Sequence, residues 1–288
     1  MLPPLGYKPL APIATGAFST ILLCRTANGE IVAVKSYDAL KCAKEAQVAE
    51  ARDTELAVLR LLREAPTGSH RHVANMLHEL GDANAGGAEC WRHAVLEYAD
   101  GGSLKRHLLK ASITAPLAAT SVRQLAGALE HLHALDIVHR DVKPANILLA
   151  HAHPKLEWCL KLCDFGFSCL CSSGQKLRTH CGTPAYLAPE LAAPSDAHKG
   201  FLGRPPDLWA LGCVLYEMLH RRPAFKCEER FELEGLIRRC NYGAIERSVP
   251  FGARALITAL LVGNPAARLT APEVLENAWV AADASVAA

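Results

Sequence analysis

The chain has 288 residues, of which 50% are hydrophobic and 21% are charged. This composition supplies a sizeable core and argues against global disorder, and the length suits one large domain or two small lobes. The net charge of +2 gives no reason to expect a nucleic-acid-binding protein or one held on a membrane by charge.

Cysteine content and the N-terminal residues bear on the cellular compartment. There are 11 cysteines, and the opening Met-Leu-Pro-Pro shows neither the basic nor the apolar segment of a secretory signal. We therefore expect free thiols in a reducing compartment. Cys169 and Cys171 are too close in sequence, and too isolated, to form a tetrahedral zinc site. The longest apolar stretch, residues 255–262, is far too short to span a bilayer.

Two strands are predicted near the start of the chain. Residues 13–21 read Ile-Ala-Thr-Gly-Ala-Phe-Ser-Thr-Ile, which by itself suits a β-hairpin turn around Gly16. Residues 31–35, Ile-Val-Ala-Val-Lys, follow an Asn-Gly turn and alternate as a strand that ends at Lys35. A lysine at the end of a strand is common, so neither segment identifies a function alone.

A helix and two more strands are predicted next. Glu55 shares one helical face with leucines four and seven residues later, and this carboxylate is a candidate partner for a lysine. A glutamate that is merely solvated is the alternative. Residues 73–98 are predicted to form two strands separated by a turn at residues 85–88. Residues 100–104, Asp-Gly-Gly-Ser-Leu, suit a flexible crossover between two lobes.

Residues 139–146, His-Arg-Asp-Val-Lys-Pro-Ala-Asn, place an acid, a cation and an amide in one short loop. An apolar segment with helical spacing precedes the loop, and the strand-like run 147–149 follows it. In phosphoryl transfer, Asp141 can orient and deprotonate a hydroxyl, Lys143 can neutralise the moving phosphoryl group, and Asn146 can hold a metal. A polar turn with a salt bridge is the simpler alternative.

Further motifs follow in the second half of the chain. They are Asp164-Phe165-Gly166, Cys181-Gly182-Thr183-Pro184-Ala185-Tyr186, Ala188-Pro189-Glu190, the helix that Asp207 opens, and the segment 264–270 that contains Arg268. The Asp164 carboxylate is a hard oxygen ligand of the kind that magnesium prefers.

In this order, the motifs resemble those of the protein kinase family. Residues 139–146 resemble the catalytic loop H-R-D-x-K-x-x-N, with Val142 where leucine is usual, and residues 164–166 match D-F-G. The resemblance covers about residues 7–280 and implies an α+β, two-lobed fold. The small β-rich lobe with one main helix would comprise residues 1–98, and the larger, mostly helical lobe residues 99–288, together forming one kinase domain.

The resemblance assigns an ATP site. Residues 13–21 resemble the glycine-rich loop with only Gly16 kept, since Ala14 and Ser19 replace the outer glycines. Lys35 would contact the α- and β-phosphates with Glu55 as its partner. The residues assigned to ATP are Ile13, Ala14, Thr15, Gly16, Ala17, Phe18, Ser19, Thr20, Ile21, Ala33 over the adenine, Lys35, Glu55, Leu96 as a buried guard of the adenine pocket, Glu97 and Ala99 through their backbones, and Leu148.

The resemblance also assigns the chemistry and its regulation. The implied catalytic residues are Asp141, Lys143 and Asn146, and Asn146 would hold Mg²⁺ together with Asp164. Thr183 would bond Asp141 and Lys143, Thr179 would be phosphorylated, and Arg140 would receive that phosphate. Two roles are structural: Asp207 would anchor the catalytic loop, and Glu190 would pair with Arg268. Cys169 departs from the family because it stands where several relatives supply a second basic partner for that phosphate.

The leading interpretation is a serine/threonine protein kinase that uses Mg-ATP, since Lys143 marks that specificity by resemblance. The alternatives are a pseudokinase that binds partners, supported only by the two missing glycines, and a small-molecule kinase, which the peptide-docking motifs at Thr183 and Glu190 disfavour. Incubation with labelled ATP and a generic basic protein separates the first two.

The sequence also leads to predictions about substrate preference, oligomeric state, cellular location and partners. The tail and residues 216–218 resemble the calcium/calmodulin-dependent and AMP-activated groups. Glu217 stands where relatives recognise a basic residue before the phosphoacceptor, while Ser103 and Ala145 replace further acids, so a mild basic preference is predicted. We expect a monomeric cytoplasmic protein, with access to the nucleus left open. Its partners would be protein substrates and an upstream kinase, without nucleic acid and without a membrane span.

Overall fold

The structure is a computed structural model, and it describes residues 6–16, 19–81, 92–150, 158–179, 181–192 and 200–282. Its Cα positions group into two compact units. The first unit runs to Asp100 and also includes Asp164–Gly166. The second comprises Gly101–Cys163 and continues from Phe167. Each unit is described by itself.

The first unit is built on a five-stranded antiparallel sheet. Its strands are β1 (Tyr7–Thr15), β2 (Ser19–Thr26), β3 (Ile31–Tyr37), β4 (Met76–Gly81) and β5 (Arg92–Glu97), in the order β1-β2-β3-β5-β4. One face buries Cys24, Val32, Val34 and Val95. Because side chains alternate along a strand, the residues between these, including Lys35, point to the other face. The predicted turn at residues 85–88 lies outside the described residues.

Two helices complete the first unit, α1 (Ala39–Lys44) and α2 (Ala46–Glu64). Helix α2 buries Leu59 and Leu62 together with Glu55, which is 4% exposed, because these positions share one helical face. Arg60 of α2 forms an ion pair with Glu79 of β4, with Nη2 and Oε1 2.8 Å apart. This pair ties the helix that carries Glu55 to the sheet.

The second unit is mainly helical. Its helices are α3 (Leu104–Leu108), α4 (Ala115–Ala134), α5 (Arg204–His220), α6 (Arg230–Arg238), α7 (Phe251–Leu260), α8 (Ala271–Glu276) and α9 (Ala278–Ala281). Its strands are β6 (Gly102–Ser103), β7 (Ile137–Val138), β8 (Ile147–Ala150), β9 (Cys159–Leu162), β10 (Cys169–Leu170), β11 (Lys176–Leu177) and β12 (Phe201–Leu202). They pair antiparallel as β6-β8-β9, β10-β7 and β11-β12.

Helix α5 forms the centre of the second unit. Trp209 and Tyr216 of α5 are fully buried, and α5 packs against both α4 and α7. The helix starts at Arg204, three residues before the predicted start at Asp207, because Pro205 and Pro206 fit the first turn, where backbone N–H groups have no helical partner. The segment before α5 contains the short strand β12.

The predicted α+β, two-lobed fold is confirmed: one unit holds the sheet and one main helix, and the other is mostly helical. Among the described residues, no helix combines the length and the apolar character needed to cross a membrane. No disulfide is present in the described part of the chain.

Candidate functional site

The first unit contains a buried lysine held by two carboxylates. Lys35 Nζ donates to Glu55 Oε1 at 2.6 Å, to Glu55 Oε2 at 2.8 Å and to Asp164 Oδ1 at 3.2 Å. Burial by itself would lower the pKa of Lys35, but the charges of Glu55 and Asp164 outweigh it and raise that pKa. The ammonium group is therefore charged at neutral pH. The structure brings Lys35, Glu55 and Asp164 together as one cluster, the lysine cluster.

Tyr37 belongs to the same region and was missed by the sequence analysis. It follows Lys35 by two residues in β3, so both side chains lie on the same face of the sheet. The Lys35 ammonium lies 5.6 Å from the centre of the Tyr37 ring. Burial, and next the charge of Glu55, raise the pKa of the phenol. The alternation of side chains along β3 was the signal that could have found Tyr37.

Asp164 has an unusual backbone. Its φ of 67° lies in the left-handed region, which non-glycine residues seldom adopt and which is often found at functional sites. The next residue, Phe165, is buried at 1% exposure, whereas the Asp164 side chain keeps 47% of its surface exposed. The buried phenylalanine fixes the segment while the carboxylate remains accessible.

The predicted glycine-rich loop is a hairpin. Ile13, Ala14 and Thr15 end β1 and Ser19, Thr20 and Ile21 begin β2, with Ala14 opposite Ile21 and Thr15 opposite Thr20. Ala17 and Phe18 lie outside the described residues. Gly16 N–H donates to the Ser19 carbonyl at 2.8 Å, and a Cβ on Gly16 would meet that oxygen at an ordinary 3.6 Å. The hairpin itself therefore does not require a glycine at position 16.

The residues assigned to the adenine lie on β3 and β5 or just after them. Ala33 faces Leu96 across the sheet. Leu96 is partly exposed, which corrects the prediction of a buried residue; it shares a face with the small Ala33 and Ala94, which leave it uncovered. The N–H of Glu97 donates to the Asn75 carbonyl at 3.1 Å, so a base could meet only the carbonyl of Glu97.

Two more residues assigned to ATP complete this set. Ala99 follows β5 and is buried. Leu148, in the second unit, lies in β8 opposite Ser103 and is partly buried.

The second unit contains a buried carboxylate surrounded by donors, the aspartate cluster of Asp141, Lys143, Asn146 and Thr183. Asp141 Oδ1 accepts from the Thr183 N–H at 3.0 Å and from its hydroxyl at 2.8 Å. Asp141 Oδ2 accepts from Lys143 Nζ at 2.7 Å and from Asn146 Nδ2 at 2.9 Å. Lys143 Nζ also donates to Thr183 Oγ1 at 2.7 Å. These contacts orient a carboxylate that is 4% exposed.

Gly182 allows Thr183 to approach the catalytic loop. Its φ is 116°, and a Cβ at this position would lie 2.7 Å from the Arg140 carbonyl oxygen, closer than real atoms come. A side chain here would push the segment away from Arg140. The glycine before Thr183 is therefore a geometric requirement of the aspartate cluster.

Asp207 accepts hydrogen bonds from the backbone of the loop that contains Asp141. Its Oδ1 accepts from the Arg140 N–H at 2.8 Å, and its Oδ2 accepts from the His139 N–H at 2.9 Å and contacts His133 Nε2 at 2.9 Å. Burial tends to raise the pKa of Asp207, but the hydrogen bonds and charge of His133, with those of His139, lower it overall. Asp207 is thus an ionised anchor for two N–H groups of the catalytic loop. His133 was not assigned a role from sequence.

The residues predicted to form a phosphorylation site, Thr179 and Arg140, share no contact that the structure describes. Thr179 is exposed, and among the described residues no hydrogen bond joins it to Arg140. Arg140 Nε instead donates to the Phe167 carbonyl at 2.5 Å. The guanidinium group is already engaged by the segment that follows residues 164–166.

Glu190 and Arg268 form a buried bidentate ion pair. Arg268 Nη1 and Nη2 donate to the two Glu190 carboxylate oxygens at 2.7 and 2.9 Å. The same guanidinium donates to the carbonyls of Pro205 at 2.8 Å and Val262 at 3.0 Å, and it lies over the Trp209 ring. The pair therefore joins three separate segments of the second unit.

Tyr186 and Glu217 form a second pair near Asp141. The Tyr186 hydroxyl donates to Glu217 Oε2 at 2.6 Å, and Tyr186 lines a small cavity together with Asp141 and Thr183. Burial and the charge of Glu217 raise the pKa of Tyr186, and burial also raises the pKa of Glu217. Glu217 was predicted from the sequence to recognise a basic residue, whereas Tyr186 was predicted only as part of the substrate-docking loop and not as a partner of Glu217.

Comparison with known proteins gives a consistent family. The family model described as protein kinase domain matches residues 7–280. The chain is 31% identical to CBL-interacting serine/threonine-protein kinase 20 of Arabidopsis thaliana over 93% of the chain and 56% of the relative. It is 32% identical to serine/threonine-protein kinase DCLK2 of Ailuropoda melanoleuca over 97% of the chain and 34% of the relative.

A third relative is covered more fully. Calcium/calmodulin-dependent protein kinase type 1B of Rattus norvegicus is 33% identical over 97% of the chain and 76% of its own length. The chain thus spans about half of the first of these relatives and about a third of the second.

Proposed function

The chain belongs to the protein kinase family, and from this premise we propose that it transfers the γ-phosphoryl group of ATP to serine or threonine hydroxyls of proteins. The family predicted from the order of the motifs is thereby confirmed. The observation that carries the proposed activity is the aspartate cluster. There, a buried carboxylate is oriented by Thr183, Lys143 and Asn146.

The aspartate cluster supplies the groups that a hydroxyl acceptor needs. Asp141 would orient the hydroxyl and accept its proton, and the Lys143 ammonium would offset the negative charge of the transferring group. Since both side chains are fixed by hydrogen bonds before a substrate arrives, the site loses little free energy to reorganisation. No observation favours the pseudokinase alternative, because Lys35, Asp141 and Asp164 are all present.

The residues present fit ATP and magnesium. Both described hydrogen bonds of the Asn146 side chain are donated by its nitrogen, so its oxygen is the atom suited to a hard cation. Asp164 adds a half-exposed carboxylate. When bound, magnesium would offset the charge of the phosphates. Lys35 would position the phosphates. The hairpin itself has no steric need for a glycine at position 16, so the glycine there agrees with a backbone that a phosphate approaches closely.

Replacing Glu55 with Gln is expected to raise the KM for ATP by about 10- to 100-fold, the size of one lost charged hydrogen bond. Without the Glu55 charge, the Lys35 ammonium would be drawn to Asp164 instead of the phosphates. Steady-state kinetics at varied ATP measures this change. Glu64→Gln is the matched control, because Glu64 is an exposed glutamate on the same helix. An unchanged KM in Glu55→Gln would contradict the role of the lysine cluster.

The proposed function is tested by incubating the protein with labelled Mg-ATP and, in separate reactions, a generic basic protein and a generic acidic protein, followed by phosphoamino-acid analysis. The expected products are phosphoserine or phosphothreonine, formed only when magnesium is present. Binding of ATP without any phosphorylated product would support the pseudokinase alternative and overturn the proposal. Phosphotyrosine as the sole product would overturn the serine/threonine specificity.

The remaining predictions concern phosphorylation of Thr179, the oligomeric state, the cellular location and the lobe boundary. The exposure of Thr179 supports its proposed phosphorylation, by an upstream kinase or by the protein itself, and the bond from Arg140 Nε to Phe167 leaves the other guanidinium N–H groups to receive that phosphate. A monomeric state, a cytoplasmic location and the lobe boundary at residue 98 stay predictions.

A further inference from the structure

Four exposed cations form a basic patch in the second unit: Lys105, Arg106, Lys110 and Arg221. The first two lie on α3, and Lys110 follows it. Arg221 caps the end of α5 and donates to the carbonyls of Leu108 and Leu109 at 3.3 and 3.4 Å, which places it against the end of α3. Among the described residues, none of the four forms an ion pair with an acid. No described ion pair therefore neutralises the patch, although the charge of Lys105 acts on Glu217.

The patch is linked to the candidate acceptor site through Tyr186 and Glu217. Tyr186, which lines the cavity with Asp141 and Thr183, donates to Glu217, and Glu217 lies one turn of α5 before Arg221. Four residues of α-helix rise about 6 Å, and the short 3₁₀ turn from Thr183 to Tyr186 spans a similar length. An extended peptide covers about 3.3 Å per residue, so roughly three to six residues would reach from the acceptor to the patch.

Glu217 is the acid in this region that was predicted to attract basic substrate residues, but a side chain of the protein already donates to it. It accepts the Tyr186 hydroxyl, and Lys105 lies near enough that its charge opposes the effect of burial on the pKa of Glu217. An incoming arginine would compete with the Tyr186 hydroxyl for this carboxylate, and the positive charge of Lys105 would oppose its approach. Ser103 and Ala145, at the positions where the resemblance led us to look for further acids, carry no charge.

Structural roles do not account for the patch as a whole. Arg221 stabilises the carbonyl end of α3, which is a sufficient reason for that residue. Lys105 and Arg106, however, are the second and third residues of the five-residue α3, and among the described residues no hydrogen bond of either side chain gives it a structural role. Arg222 is not part of the patch, because it turns towards the Tyr216 ring and the Ala244 carbonyl.

We propose that the basic patch binds acidic residues of the protein substrate, three to six positions from the phosphoacceptor. The inference rests on the proposed kinase function and replaces the mild basic preference predicted from sequence. An exposed ion pair contributes little by itself, so the patch selects through several modest contacts and through electrostatic attraction of the substrate.

The test is a peptide series with one serine and otherwise neutral residues, in which each position from six before to six after the serine is occupied by Glu, Ala or Arg. We expect kcat/KM to rise about two- to fivefold over alanine for a glutamate at a favourable position. We expect arginine there to lower it. The advantage of glutamate should shrink as salt is raised, because salt screens exposed charges.

Charge reversal assigns the preference to the patch. In Lys105→Glu/Arg106→Glu, the ratio of kcat/KM between glutamate and alanine peptides should fall to one or below. Arg25→Glu, an exposed reversal in β2, should leave the ratio unchanged. A glutamate preference that survives the double reversal, or a wild-type enzyme that phosphorylates all peptides equally or favours arginine, would overturn the inference while leaving the kinase function standing. Phosphorylation of no peptide and no protein would overturn the kinase function itself.

Discussion

Asp141→Asn is expected to lower kcat by about 100- to 10,000-fold, the range that proton transfer by a positioned side chain contributes. The loss has two physical causes. An amide cannot accept the proton of the substrate hydroxyl, and its NH₂ group would face the donors that now surround the carboxylate, namely the Thr183 N–H and hydroxyl or the Lys143 ammonium. Single-turnover phosphotransfer measures the effect directly.

The control for Asp141→Asn is Asp53→Asn, the same chemical change at an exposed carboxylate on α2, which should leave kcat unchanged. ATP affinity should be retained in Asp141→Asn, since this residue is not assigned to the nucleotide. Full phosphotransfer by Asp141→Asn would show that another group accepts the proton. Lost ATP binding would show instead that the substitution disturbs more than the aspartate cluster.

Arg268→Ala should destabilise the protein by about 3–5 kcal/mol, the cost of leaving one member of a buried ion pair without its partner. The Arg268 side chain is fully buried, and its loss would strand the Glu190 carboxylate as well as the carbonyls of Pro205 and Val262. Urea denaturation monitored by fluorescence gives the free energy of unfolding.

Two further variants make the Arg268 prediction testable even if Arg268→Ala does not fold. Arg268→Lys keeps the charge but loses the bidentate geometry, so an intermediate loss is expected. Arg230→Ala removes an exposed arginine from the surface pair with Glu234 and should cost less than about 1 kcal/mol. If Arg268→Lys is as stable as the wild type, or Arg268→Ala loses no more than Arg230→Ala, the pair is not a main source of stability.

Much of the candidate site is local and therefore visible in the sequence. Asp141, Lys143 and Asn146 lie within six consecutive residues, and the structure joins them by direct hydrogen bonds. Lys35 ends a run with the alternation of a strand, and Glu55 occupies the apolar face of a helix. In each case, the period of the secondary structure fixes the direction of the side chain.

Other features depend on packing between distant segments. Strands β10, β11 and β12 have two residues each, too few for any periodic signal. The contact of His133 with Asp207 joins residues 74 positions apart, and Tyr186 meets Glu217 across 31 positions. Burial of the surrounding helices sets these distances, and no local pattern encodes them.

The sequence by itself determined the family, the two-lobed α+β fold and the identity of the chemical groups, because motif order and side-chain period are properties of the chain alone. Only the tertiary structure decided which donors surround Asp141, that Arg140 is engaged by a backbone carbonyl, and that Tyr186 donates to Glu217. Electrostatic surroundings depend on distances through space. Those distances exist only once separate elements have packed together.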